Sequence, residues 1–118
     1  MAAPNIVNVA TINSRTAVLV VSTTTTAILT NAAASAKVLK ATTLYVCNIG
    51  AVAATVDVDL FRGAVAYRVT KALNVPVGST VAVIEKGDTL NIEEGDTLRL
   101  TASANSALEA VCAYEDIS

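Results

Sequence analysis

Hydrophobic and polar positions alternate along most of this chain, and the period is two. The clearest stretch is Thr55–Arg62, TVDVDLFR, which sets Val56, Val58 and Leu60 on one face and Asp57, Asp59 and Phe61 on the other. Strict alternation over a few residues predicts a half-buried strand. Lys86–Leu100, KGDTLNIEEGDTLRL, repeats GDTL at Gly87–Leu90 and at Gly95–Leu98. Leu90 and Ile92 share one face, and Leu98 and Leu100 follow in the same rhythm. Each Gly-Asp pair signals a turn, because Gly takes positive φ and Asp bonds its own backbone. The stretch reads as a hairpin, and the rest of the chain reads as hairpins built like it.

Taken in order, Met1–Arg15 holds three Asn, a Pro and a loose series, Ile6, Val7, Val9 and Ile12. It reads as either an N-terminal arm or a first edge strand, and as an arm its four apolar residues are the candidate assembly contact. Left free, a segment of that composition is an aggregation hazard unless a neighbour covers it. Residues 16–118 are then the domain proper. Thr16–Ser22, TAVLVVS, is a β-branched run and a strand. The four threonines Thr23–Thr26 read as strand or strand edge, since threonine is a poor helix former. Asn31–Ala36, NAAASA, is too short for a helix and reads as a turn. Lys37–Asn48 reads as a long strand bent near Ala41, Ala64–Leu73 as the partner of Thr55–Arg62 across Gly63, and Asn74–Ser79 as a loop around Pro76. Thr80–Glu85 and Leu108–Ile117 complete the series, with Ala104–Ala107 as a small turn. Eight or nine short strands with turn signals between them, and no helical pattern separating them, predict an all-β, single-domain antiparallel β-sandwich, jelly-roll or immunoglobulin-like.

A length of 118 residues suits one domain with an independent core. Hydrophobic residues make up 53% of the chain, yet there is one Phe and no Trp, so small branched side chains must fill that core. The net charge of −2 comes without a basic stripe, which argues against a nucleic-acid partner. No apolar run is long enough to span a membrane, and the N-terminus lacks the form of a secretory signal. The product is expected to stay where it is made unless it leaves as part of something larger.

Candidate chemistry is sparse. The chain has no His, which removes the commonest general base and zinc ligand. Nucleotide-binding, zinc-protease and EF-hand patterns are absent, as is the Gly-x-Ser-x-Gly nucleophile elbow, so no enzyme activity, metal or cofactor is expected. Asp57 and Asp59 lie roughly 7 Å apart on one strand face. That pair suits glycoside chemistry or calcium, but a solvated outer face explains it as simply. Glu93, Glu94 and Asp96 cluster at one GDTL turn, with Asp88 at the other. Calcium needs six to eight oxygens around one point, and turn geometry with solubility accounts for such residues without it. Cys47 and Cys112 are either a disulfide, within or between chains, or two buried thiols in adjacent strands near the sheet centre. A cytoplasmic site of synthesis favours thiols.

The segments Leu44–Asn48 (LYVCN), Thr55–Phe61, Ala64–Val69, Val75–Val83 (VPVGSTVAV), Ile92–Ser103 (IEEGDTLRLTAS) and the terminal LEAVCAYEDIS resemble small structural virion proteins of tailed bacteriophages. Members often end on a pattern like LEEGDxLRxxAS followed by YEEIS. The resemblance covers Lys37–Ser118 and thins out before it. It implies a viral structural protein, made in the host bacterial cytoplasm and built into the virion. Such a protein is a capsid decoration or cement protein bound to the head, or a tail, neck or fibre-joining component. The expected partners are other virion proteins, the major capsid protein or tail proteins, and further copies of the chain in a homo-oligomer. The resemblance brings no catalytic residues with it. A carbohydrate-binding module is a more distant alternative, poorly served by Tyr45, Phe61, Tyr67 and Tyr114 as stacking surfaces.

Overall fold

The computed structural model describes residues 11–85 and 87–118. Nine strands make up its regular structure. They are β1 (Ile12–Val21), β2 (Thr26–Thr30), β3 (Val38–Asn48), β4 (Ala54–Arg62), β5 (Val65–Val75), β6 (Thr80–Ile84), β7 (Leu90–Ile92), β8 (Thr97–Ala102) and β9 (Leu108–Ile117). The first sheet runs β1-β9-β3-β6, with β7 also on β3, and the second runs β2-β8-β4-β5. Every pairing is antiparallel. The two sheets pack face to face as a β-sandwich.

β6 pairs with Leu44–Cys47 and β7 with Leu39–Ala41, so the two lie in succession along β3 as one interrupted strand. Counted that way there are eight strands in two four-stranded sheets, and most connections cross from one sheet to the other. That is the winding of a jelly roll. In an immunoglobulin-like sandwich consecutive strands would pair more often within a sheet. Here β4–β5 is the only consecutive pair hydrogen-bonded together among the described residues. Its turn sets Gly63 and Ala64 at φ 58° and 61°, the left-handed values a two-residue hairpin turn requires.

The GDTL repeat is therefore not a hairpin. β7 belongs to the first sheet and β8 to the second, so the EEGD turn carries the chain across the sandwich. The alternation still marks the faces, since Ile92, Leu98 and Leu100 are all buried. Period-two patterning says which side chains point inward and nothing about which strand lies alongside. The threonine run also differs from expectation, because Thr23–Thr25 form the bend between β1 and β2. The Ser22 hydroxyl donates to the Thr24 carbonyl at 2.8 Å and the Thr26 hydroxyl to the same carbonyl at 2.9 Å. Such side-chain bonds offer the backbone an alternative to a ladder. The bend expected near Ala41 is a β-bulge, with the register slipping between Ala41 and Thr43 and the Thr42 hydroxyl donating to the Ala113 carbonyl at 3.1 Å.

The core is aliphatic. Val21, Leu44, Val46, Val56, Val58, Leu98, Leu100 and Leu108 are fully buried between the sheets. Two buried asparagines tie loops to this core. The Asn31 amide donates to the carbonyls of Lys37 and Ile92, both at 2.9 Å, and the Asn48 amide donates to those of Val52 and Val75 at the same distance.

Candidate functional site

The two outer faces of the sandwich are unlike each other. On the second sheet Asp59 stands level with Arg68 of β5 and Arg99 of β8. Arg99 donates to its carboxylate at 2.8 Å and Arg68 at 3.3 Å, and these side chains bury it to 1% exposure. The Arg99 guanidinium also stacks 4.0 Å from the centre of the Phe61 ring, a cation–π contact. Asp57 accepts the Ala72 amide at 2.6 Å, which fixes β5 where Ala72 turns left-handed at φ 52°. The two aspartates therefore do not share a ligand position, and the solvated strand face expected for them is, at Asp59, a sealed ion-paired row. The sequence signal lay in three chain segments at once, one aspartate and two arginines, which only the register aligns.

The acidic turn is equally committed. Arg62 grips Asp96 with two nitrogens and reaches Glu93 at 2.8 Å. This hydrogen bonding holds the Asp96 carboxyl below the usual carboxylate range and pushes the Arg62 guanidinium above its ordinary value. Asp96 also accepts the Glu93 amide at 3.0 Å, closing the turn. One Glu94 oxygen accepts the Ala36 amide at 3.0 Å, while the other is buried without a partner among the described residues. Asn31 pairs with the turn through the Gly95 amide and the Asp96 carbonyl, at 2.8 and 3.0 Å. The IEEGD segment thus docks the Asn31–Lys37 loop. Asp88, at the other GDTL turn, donates its amide to the Glu85 carbonyl at 2.9 Å.

Cys47 and Cys112 are free thiols on the neighbouring strands β3 and β9. Cys112 stands level with Leu44 and points into the core, whereas Cys47 stands level with Glu109 on the outer face and is only half-buried. The pairing of strands was expected, but burial of both thiols was not the outcome, because three residues of offset put them on opposite faces. Desolvation pushes the Cys112 thiol up to about 11.

The outer face of the first sheet carries a different surface. Val18 of β1, Val111 of β9 and Tyr45 of β3 form one row across the three strands, and all are exposed, Val18 to 74%. Val20, Glu109 and Cys47 form the next row. A shallow groove of about 450 Å³ runs between these strands, lined by Val18, Leu19, Val20, Glu109, Ala110 and Val111. Toward the other end the face turns polar, with Lys40 and Glu115 paired at 3.8 Å. Of the candidate assembly residues, Ile6, Val7 and Val9 lie outside the described residues. Ile12 opens β1, level with Ile117 and 59% exposed. Sequence reasoning recognised Thr16–Ser22 as a strand and passed over its outward valines. The signal was that VLVV is apolar on both faces, which a strand covered on one side only does not need.

Compared with protein-family models and with curated proteins, the chain matches none.

Proposed function

We propose that this chain is a structural component of a tailed-bacteriophage virion, a capsid decoration or cement protein that stabilises the head through protein–protein contacts and associates with copies of itself. The carrying observation is the exposed apolar row Val18–Val111–Tyr45 with its flanking groove, on a sandwich whose other outer face carries the ion-paired Asp59 row. Contiguous apolar surface of that kind marks a contact with another macromolecule. The C-terminal resemblance to virion proteins supplies the setting, and the jelly roll suits it by fold analogy, as viral capsid domains share the winding. Lectins share it too, but the exposed tyrosines Tyr45 and Tyr67 stand on different sheets, so they do not make one sugar-stacking platform.

Electron microscopy of purified particles with gold-labelled antibody fragments against this chain tests the proposal. Gold over the heads is the expected result. Gold confined to the tail or neck would replace decoration with a tail or joining role, and unlabelled particles would overturn the virion reading.

A further inference from the structure

Four strand edges bound the two sheets, and three of them are guarded. β2 is five residues long and bulged between Ala27 and Leu29. The β6–β7 edge is split into pieces of five and three residues. β5 is long, but it carries Arg68 and Lys71, slips register twice against β4 and turns left-handed at Ala72. Shortness, bulges and charge are the usual means of keeping an edge from pairing. β1 is neither short nor bulged. It runs ten residues, pairs with β9 throughout without a register shift, and contains no Pro. Its single charge, Arg15, is turned to Asp116 at 3.5 Å. Among the described residues nothing pairs with its outer edge. A regular row of free amides and carbonyls accepts one kind of occupant, another extended strand.

We propose that the outer edge of β1 is a self-association site, where β1 of a second copy of this chain adds antiparallel and joins the two first sheets into one. This rests on the self-association in the function proposed above and names its surface. The strand is complementary to itself. In an antiparallel pair, directly opposed residues share a face and their side chains touch. With the two-fold axis at Val18, Val18 meets Val18, Thr16 meets Val20, and Arg15 meets Val21, so no like charges face each other. The apolar row then continues through both copies, Tyr45–Val111–Val18 against Val18–Val111–Tyr45. The two copies of Glu109 stand three strand spacings apart across the sheet and four residues apart along it, roughly 20 Å, beyond the screening length of about 8 Å at physiological salt. Ten residues a side is fewer than the roughly 20–30 of a standard interface, so the dimer dissociates on dilution.

Sedimentation velocity over a range of concentrations tests this with the full chain, Val18→Lys, Val20→Lys, and Tyr67→Lys on the β5 edge as control. Circular dichroism and the thermal midpoint check that each variant folds. The expected result is a reversible dimer for the full chain and for Tyr67→Lys, weakened at least tenfold by either valine substitution. In a Cys47→Ser background, Val18→Cys is expected to form a disulfide-linked dimer on mild oxidation, an assay that does not depend on a destabilising charge. A full chain that stays monomeric throughout would overturn the proposal together with self-association. An oligomer indifferent to both lysines, with no crosslink at Val18→Cys, would overturn this surface and leave self-association standing.

Discussion

Asp59 points away from the core and is still sealed from water, because Arg68 and Arg99 close over it from the strands on either side. Removing a buried acceptor leaves both guanidinium groups without their partner, and Asp59→Ala is expected to cost about 1–3 kcal/mol in urea unfolding. Nothing in TVDVDLFR separates this aspartate from Asp57 two residues earlier. The difference is made by partners 9 and 40 residues away. Asp96 gives a pH prediction. Its folded pKa lies below the ordinary 3.8, so its contribution to stability is complete above that value and is lost as pH falls through the folded one. The urea midpoint is therefore expected to drop on acidification below about pH 4, and Arg62→Met is expected to flatten that drop. The thiols divide by face. A thiol reagent is expected to label Cys47 in the folded protein and Cys112 only after denaturation, since Cys112 is buried and its thiolate disfavoured.

Most elements follow from local chemistry. Lys37–Asn48, Thr55–Arg62 and Leu108–Ile117 are strands because β-branched and aliphatic residues recur on the face that meets the core. Turn chemistry is readable wherever Gly supplies the left-handed backbone, and Gly95, at φ 84° with open space around its Cα, is such a position. Gly95→Ala is expected to cost about 1–2 kcal/mol from backbone strain alone. The pairing of the strands is not local. The GDTL repeat suggested a hairpin because the commonest short link joins neighbours, while the fold uses it to cross between sheets and anchors it on Asn31. Of Met1–Arg15, expected as an arm or an edge strand, Ile12–Arg15 lie in the edge strand β1. Ile12, Asn13 and Ser14 pair with Ile117, Asp116 and Glu115 of β9, so a truncation that spares β1 should stop at Ala10. Removing residues 1–10 is expected to preserve the strand-rich circular dichroism spectrum, and removing the whole of β1 to unfold the chain.

At the scale of the molecule, the sandwich could be foreseen and its winding could not, since a jelly roll and an immunoglobulin-like fold draw on the same alternating strands. The contrast between the outer faces was hidden for the same reason, as it depends on which strands stand side by side. That contrast underlies the functional account: one outer face carries the sealed Asp59 ion pairs, the other an apolar patch at one end and an edge that no described residue pairs. The proposed function is that of a subunit that works in company. Quantitative mass spectrometry of gradient-purified phage particles from a host carrying this sequence tests that most directly. The account predicts the chain in the particle in an amount comparable to the shell protein it covers. Its absence from particles that are otherwise complete would contradict it.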